Sequence, residues 1–311
     1  RDDCLESPYD SRRAPSCDDR RAMELIQVTT TKSGKMYTVR PPWKQLPPKM
    51  NDNRYAVLQR FQSRVKKFKK NPSFFNEYRE AVQKYFDDGH AEVIPESEIK
   101  TSPGSTNYLP HHSVSHERKA TRIVYDTSFK TKGKSLTTEI YQGPNVLNDL
   151  AGLLMRFRLH PVAVACDLQS FYHSVAIPSC DVDFFRFFWL KDGPDSEIIE
   201  CRLTKHLFGG NWCQCVCTHA LLTAIDQAIK DGQLTEEQAE KIRCAFYSDD
   251  FLRSYRTVKE AGSTLLALVE ILVQSNFKLT KFASNNVEFL KQIPEDLRHP
   301  NVRSLDLNEQ S

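Results

Sequence analysis

Apolar positions along the chain fall into blocks of different period, and each period predicts an element. From Asn51 onward Tyr55, Leu58, Phe61, Val65 and Phe68 recur at helical spacing, and the block ends in the cationic run Lys66-Lys67-Phe68-Lys69-Lys70. A second helix is expected to open with Asn71 as N-cap and Pro72 in the first helical position, where a missing N–H costs nothing, and to close at Gly89 after Asp87-Asp88. The pattern then shortens: Thr121-Arg122-Ile123-Val124-Tyr125, β-branched and aromatic, reads as a strand. Residues 146–157 read as a helix, 162–177 as one long strand or a bent pair, and 184–190 and 198–203 as two more strands. A long helix is expected over 213–230. Thr235-x-x-Gln238 and Thr257-x-x-Glu260 are capping-box signatures that open two more, the last with Leu265, Leu268, Val269 and Leu272 on one face. Residues 1–48 are polar and rich in proline and turns, which predicts a connecting arm with helices beginning only after it.

Composition narrows the class. A chain of 311 residues, 40% hydrophobic and 27% charged, has material for one large domain or two smaller ones. No stretch approaches the roughly 18 consecutive apolar residues of a membrane span, and no charged-then-apolar start suggests a secretory signal. The nine cysteines are odd in number, lack a regular framework and sit partly in apolar runs, which favours reduced thiols inside a cell. A net charge of +3 permits a polyanionic partner without demanding one. The chain begins with Arg1 rather than Met and ends in the polar Asn308-Glu309-Gln310-Ser311, so a piece of a longer polyprotein is expected.

Candidate chemistry lies in the acids. Phe246-Tyr247-Ser248-Asp249-Asp250-Phe251 carries two adjacent carboxylates on an apolar run, and a lone Asp167 closes the run Val162-Ala163-Val164-Ala165-Cys166. Carboxylates at the ends of two buried strands can hold a pair of divalent cations, the requirement for in-line nucleotidyl transfer. Successive strand residues face opposite ways, so a hairpin with its turn at the carboxylates is expected, with Asp249 paired to Asp167 and Asp250 close by. The blander alternative is turn and strand-end chemistry, for which Asp is common. A zinc module built from His206, Cys213, Cys215, Cys217 and His219 lacks the paired spacing of structural sites. Asp126-Thr127-Ser128 suggests an aspartic protease but lacks the usual following glycine.

Phe-Tyr-Ser-Asp-Asp resembles the Tyr-x-Asp-Asp box of reverse transcriptases, and Cys166-Asp167-Leu168-Gln169-Ser170-Phe171-Tyr172 resembles their first carboxylate motif. Six further boxes resemble the BEL/Pao class of long-terminal-repeat retrotransposons: Tyr108-Leu109-Pro110-His111-His112-Ser113-Val114, Arg122-Ile123-Val124-Tyr125-Asp126, Gly143-Pro144, Leu154-Met155-Arg156-Phe157-Arg158, His206-Leu207-Phe208-Gly209-Gly210 and Lys281-Phe282-Ala283-Ser284-Asn285. The resemblance runs from about Trp43 to Pro294. It implies an α+β fold, the fingers and palm of a right-hand polymerase, with an antiparallel palm sheet packed on helices and the thumb missing. Fingers would comprise 49–140 and 176–207, palm 141–175 and 208–295, with 296–311 starting a connection to the absent thumb.

By the same resemblance Asp167, Asp249 and Asp250 would hold two Mg²⁺ ions, with Mn²⁺ as a substitute, and Lys281 or Lys278 would act near the departing pyrophosphate. Arg122 would take the triphosphate of an incoming dNTP, Tyr172 would sit under its sugar and exclude a 2′-hydroxyl, and Phe208-Gly209 would approach nucleotide and template. Implied partners are an RNA or DNA template with its primer and the remaining Pol polyprotein: protease, thumb, ribonuclease H and integrase. Cytoplasmic particles are the implied setting. Phosphates would meet the 64–70 run and Arg118-Lys119. The chain departs from the family pattern at Asn211-Trp212-Cys213-Gln214, where a small residue and Pro are usual, at Ser135-Leu136-Thr137, and at Ser248, a position more often apolar. These departures raise the alternative of an impaired remnant that only binds nucleic acid.

Overall fold

The molecule, a computed structural model, is described over residues 14–99, 104–116 and 119–303. Arg1, Arg118 and the 308–311 tail lie outside the described residues. In chain order the strands are β1 (Thr31–Ser33), β2 (Met36–Thr38), β3 (Ala91–Val93), β4 (His111–His116), β5 (Lys119–Tyr125), β6 (Val162–Leu168), β7 (Val175–Ala176), β8 (Arg186–Leu190), β9 (Ile198–Leu203), β10 (Phe246–Tyr247), β11 (Asp250–Tyr255) and β12 (Leu279–Ser284). They form four small sheets, in the orders β10-β11-β6-β12, β3-β9-β8, β4-β5 and β1-β2-β7. All pairings are antiparallel except β2 with β7. With helices packed on these sheets, the fold is α+β.

The longer helices form on apolar stripes, and several open on a side-chain cap. In Arg54–Lys70 the buried stripe is Val57, Phe61, Val65 and Phe68, and Tyr55, counted above as part of that face, is 74% exposed. Asn71 caps Pro72–Asp87 by accepting from the Phe74 amide at 3.0 Å, and Gly89 leaves that helix with φ +67°. Cys213–Lys230 follows the expected span. Thr235 closes a reciprocal capping box with Gln238 on Glu236–Arg243. Thr257 caps Val258–Val273, but Glu260 reaches back one residue further, to the Arg256 amide.

Three expectations need correction. Residues 1–48 were expected to lack helices, yet Cys17–Thr29 is one, opened by a Ser16–Asp19 capping box; its stripe is only Ala22 and Ile26 among charges, too thin for a periodicity argument. Tyr37, Val39 and Trp43 behind it are buried in the main core. The 146–157 helix starts at Leu150, where Asp149 accepts from the Gly152 amide. The 162–177 run is the bent pair of the two alternatives: β6 and β7, broken at Ser170 (φ +52°) by the 3₁₀ turn Phe171–Ser174. The 184–190 run likewise begins as the 3₁₀ turn Val182–Phe185, and β8 starts only at Arg186.

Two regions of the core matter for the site. One is aromatic: Phe61, Tyr78, Tyr125, Phe187 and Trp189 gather around His111, whose ring nitrogens bond the Tyr78 hydroxyl at 2.6 Å and the Phe188 carbonyl at 2.9 Å. The other lies behind the β10-β11-β6-β12 sheet, where Val258–Val273 packs on β6 and β11 through Leu265, Leu268 and Leu272. Alternation along β6 sends Val162, Val164, Cys166 and Leu168 inward and leaves Asp167 on the other face. No helix among the described residues is long and apolar enough to cross a membrane.

Candidate active site

The carboxylates meet because three backbone features coincide at one end of this sheet. β10 and β11 form a hairpin in which Tyr247 pairs with Asp250, so the two-residue turn is Ser248-Asp249. Ser248 takes φ +57° there, the left-handed conformation such a turn demands. The turn was expected at both carboxylates; instead Asp250 is the first residue of β11. Register then puts Asp250, not Asp249, directly opposite Asp167. The Leu168 amide donates to the Asp249 carbonyl at 2.8 Å, so Asp167 and Asp250 form the intervening non-hydrogen-bonded pair, in which side chains stand closest.

A bulge supplies the cation. β12 pairs with β6 through Thr280↔Asp167 and Ala283↔Ala165, and the extra residue falls between them. Lys281 occupies it with φ +56°, which re-aims its side chain so that Nζ lies 2.6 Å from Asp167 Oδ2. Lys278 does otherwise: its side chain is exposed and its carbonyl accepts from the Gln169 amide. The Asp250 carboxyl is raised above its ordinary value by partial burial and by the charges of Asp249 and Asp167, against the lowering effect of Lys281. The buried Cys166 thiol beneath is pushed well up by burial and then by Asp167 and Asp250.

Among the described residues no group of three or more His, Cys, Asp or Glu side chains is arranged to hold a metal ion as it stands. Asp167 is turned to Lys281 instead. The donor chemistry nonetheless fits: Asp250 is a hard carboxylate acted on by the charges of Asp249 and Asp167, and the Lys281 ammonium lies on Asp167. Mg²⁺ takes oxygen ligands, keeps several waters and borrows substrate oxygens, so few protein donors suffice. Among the described residues the cysteines make no comparable cluster. Cys213 lies beside Gly210, Cys215 meets Met23 Sδ at 3.5 Å, and Cys217 meets the Tyr172 carbonyl at 3.7 Å.

Tyr172 and Phe208 are brought next to the carboxylate turn. The Tyr172 ring meets Phe208 edge-on with centroids 4.7 Å apart, and its hydroxyl is pushed above its ordinary pKa, chiefly by burial. Gly209 has φ +105°, and a Cβ there would stand 2.9 Å from the Tyr125 carbonyl, so only glycine fits. Its own carbonyl accepts from Thr127 Oγ1 at 2.8 Å. The Asp126-Thr127-Ser128 segment is therefore a turn: Asp126 accepts from the Ser128 amide and hydroxyl and pairs with Arg60, while Thr127 ties β5 to the Gly209 loop. Arg122 belongs to a different sheet. It is exposed on β5 opposite Val114, two strand residues upstream of the Val124-Tyr125 contact with Gly209.

Two residues act here that motif spacing does not single out as partners. Gln214 and Ser248 register in the sequence only as departures from a pattern, yet the Ser248 hydroxyl donates to Gln214 Oε1 at 2.8 Å, and so does the Tyr172 hydroxyl. The spacing of Gln214 and Thr218, one helical turn apart, is the one part of this network visible in the sequence.

No family model matches the chain, and no curated protein matches it. Solved structures do. The foamy viral protease–reverse transcriptase in complex with double-stranded DNA is 16% identical over 67% of this chain and 31% of its own, with a TM-score of 0.45. A prototype foamy virus protease–reverse transcriptase mutant is 16% identical over 68% of this chain and 24% of its own, with a TM-score of 0.48. A further foamy viral protease–reverse transcriptase complex with double-stranded DNA is 17% identical over 66% and 36%, with a TM-score of 0.46. The chain thus spans between a quarter and about a third of the length of these chains. What the molecule does has to be read from its own site.

Proposed function

We propose that the chain is the fingers and palm of an RNA-directed DNA polymerase from a BEL/Pao-type Pol polyprotein, adding deoxynucleotides to a primer. The observation that carries this reading is that Asp250 stands opposite Asp167 with Asp249 beside it in the turn, and that among the described residues Lys281 is the cation paired with Asp167. Folding alone does not favour this arrangement, since like charges opposed across strands are destabilising. Catalysis by divalent cations does.

In this reading Asp167, Asp249 and Asp250 hold two Mg²⁺ ions. When bound, these supply stabilisation of the attacking and leaving oxygens of the displacement. Lys281, whose Nζ lies 2.6 Å from Asp167 Oδ2, is the group that gives a proton to departing pyrophosphate. Arg122 donates its planar fork to the triphosphate. Tyr172 lies under the sugar, and the bare Gly209 backbone lets nucleotide and template come close. Template and primer are held largely through phosphates by cations such as those of the Arg54–Lys70 helix, so binding falls steeply with salt.

A second reading keeps the binding surface and drops the chemistry, favoured by Gln214 and Ser248 standing where the family pattern has other residues. One experiment separates the two. RNA-templated addition of dNTPs to a DNA primer should occur in Mg²⁺, stop with chelator and resume when Mg²⁺ is restored. Retention of primer–template with no addition under any of these conditions would establish the binding-only remnant.

A further inference from the structure

The residues that break the family pattern, Gln214 and Ser248, are 34 positions apart and meet. One oxygen, Gln214 Oε1, accepts from the Ser248 and Tyr172 hydroxyls, each at 2.8 Å. The far end of the amide is fixed as well, because Nε2 donates to Thr218 Oγ1 at 2.9 Å on the same helix. That bond turns the carbonyl, with its two lone pairs, toward two hydroxyl donors. Three segments are thereby tied together: the Cys213–Lys230 helix, the Ser248-Asp249 turn, and the 3₁₀ turn that follows Asp167.

We propose that Gln214 is a positioning residue that latches the Tyr172 ring to the carboxylate turn and so sets discrimination between deoxy- and ribonucleotides. The proposal rests on the polymerase reading above. A ring beneath a sugar excludes a 2′-hydroxyl only while it cannot retreat. On one side Tyr172 is buttressed by Phe208, and on the other its hydroxyl is held to the same oxygen that holds Ser248. The distance from ring to Asp249 is therefore fixed by the amide rather than by packing alone. Without the acceptor both half-buried hydroxyls lose a partner, and the ring gains room to swing toward Phe208 or water.

The test compares kcat/KM for a ribonucleotide and the matching deoxynucleotide in primer extension. Gln214→Leu, which removes the acceptor on a good helix former, should raise the ribonucleotide-to-deoxynucleotide ratio roughly five- to tenfold, the value of a typical hydrogen bond or somewhat more. Ser248→Ala, which cuts one of the two bonds, should raise it by about two- to threefold. Gln214→Glu keeps acceptor oxygens and should restore the ratio. A ratio unchanged in Gln214→Leu and Ser248→Ala overturns the assignment. A thermal unfolding cycle reads the latch without activity: Tyr172→Phe and Ser248→Ala should each lower the midpoint in wild type and neither should do so in Gln214→Leu. Additive losses overturn the latch. A wild-type chain that never extends a primer sinks the polymerase reading and the discrimination with it, whereas the cycle still decides whether Gln214 ties the turn to the ring.

Discussion

Asp250 stands across from Asp167 in the pairing where side chains approach most closely, so its charge is opposed from the next strand and by its neighbour Asp249. Its pKa is raised in the fold above the ordinary 3.8. For such a group the stabilising contribution is present below the ordinary value and lost as pH rises through the raised one. At pH 7 the ionised carboxylate is thus a net cost. Asp250→Asn should therefore unfold at a higher midpoint than wild type at pH 7, by roughly 0.5 kcal/mol given solvent screening, and the gain should vanish below about pH 4. Unfolding curves at several pH values check this. A midpoint that falls at pH 7 would mean the acid is held by bonds rather than opposed by charge. Gly209 shows the contrary case of a residue fixed by space: its φ of +105° and the Tyr125 carbonyl at 2.9 Å leave no alternative side chain.

At the scale of elements, the bulge in β12 has the largest effect for the smallest sequence signal. One extra residue between Thr280 and Ala283 converts Lys281 from a strand residue facing away into the counter-cation of Asp167. The pair is half exposed and adds little stability. Its ammonium competes with any divalent cation for the same carboxylate. Lys281→Met should therefore bind Mn²⁺ more tightly than wild type in a calorimetric titration while extending a primer more slowly. Weaker binding would show that Lys281 helps to build the cation site. Capped helices and alternating strands were legible in the sequence wherever a side chain announces them, as Asn71-Pro72, Thr235 with Gln238, and the inward residues of β6 do. The bulge, the place of the break at Ser170 and the Cys17–Thr29 helix were not. The first two depend on single left-handed residues that nothing in composition marks, and the third on a stripe of only two buried side chains. Candidate residues could be named from motifs, but the rank of Asp249 and Asp250 toward Asp167 follows from register, which a turn position shifted by one residue reverses.

Across the whole molecule, buried ionisable groups join the sheets, and they set its response to acid. Glu200 accepts from Arg54 and from the Tyr108 hydroxyl and faces the fully buried Arg186, linking the Arg54–Lys70 helix to β8 and β9. Burial lowers the pKa of five histidines: His90, His111 and His206 to about 4, His173 to about 3, and His219 in the same direction. A depressed folded pKa gives stability that is present above the ordinary value of 6.5 and lost as pH falls through the folded one. The unfolding midpoint should thus drop steadily from about pH 6.5 to 4, ahead of the range in which carboxylates titrate. A flat midpoint over that interval would mean these rings are not buried in solution. The central claim is that the acids joined by β6 and the β10–β11 hairpin perform nucleotidyl transfer, and extension of a DNA primer on an RNA template by wild type and by Asp249→Asn tests it most directly. Mg²⁺-dependent extension by wild type, lost in the variant, is the predicted result. Extension by Asp249→Asn at the wild-type rate would contradict it.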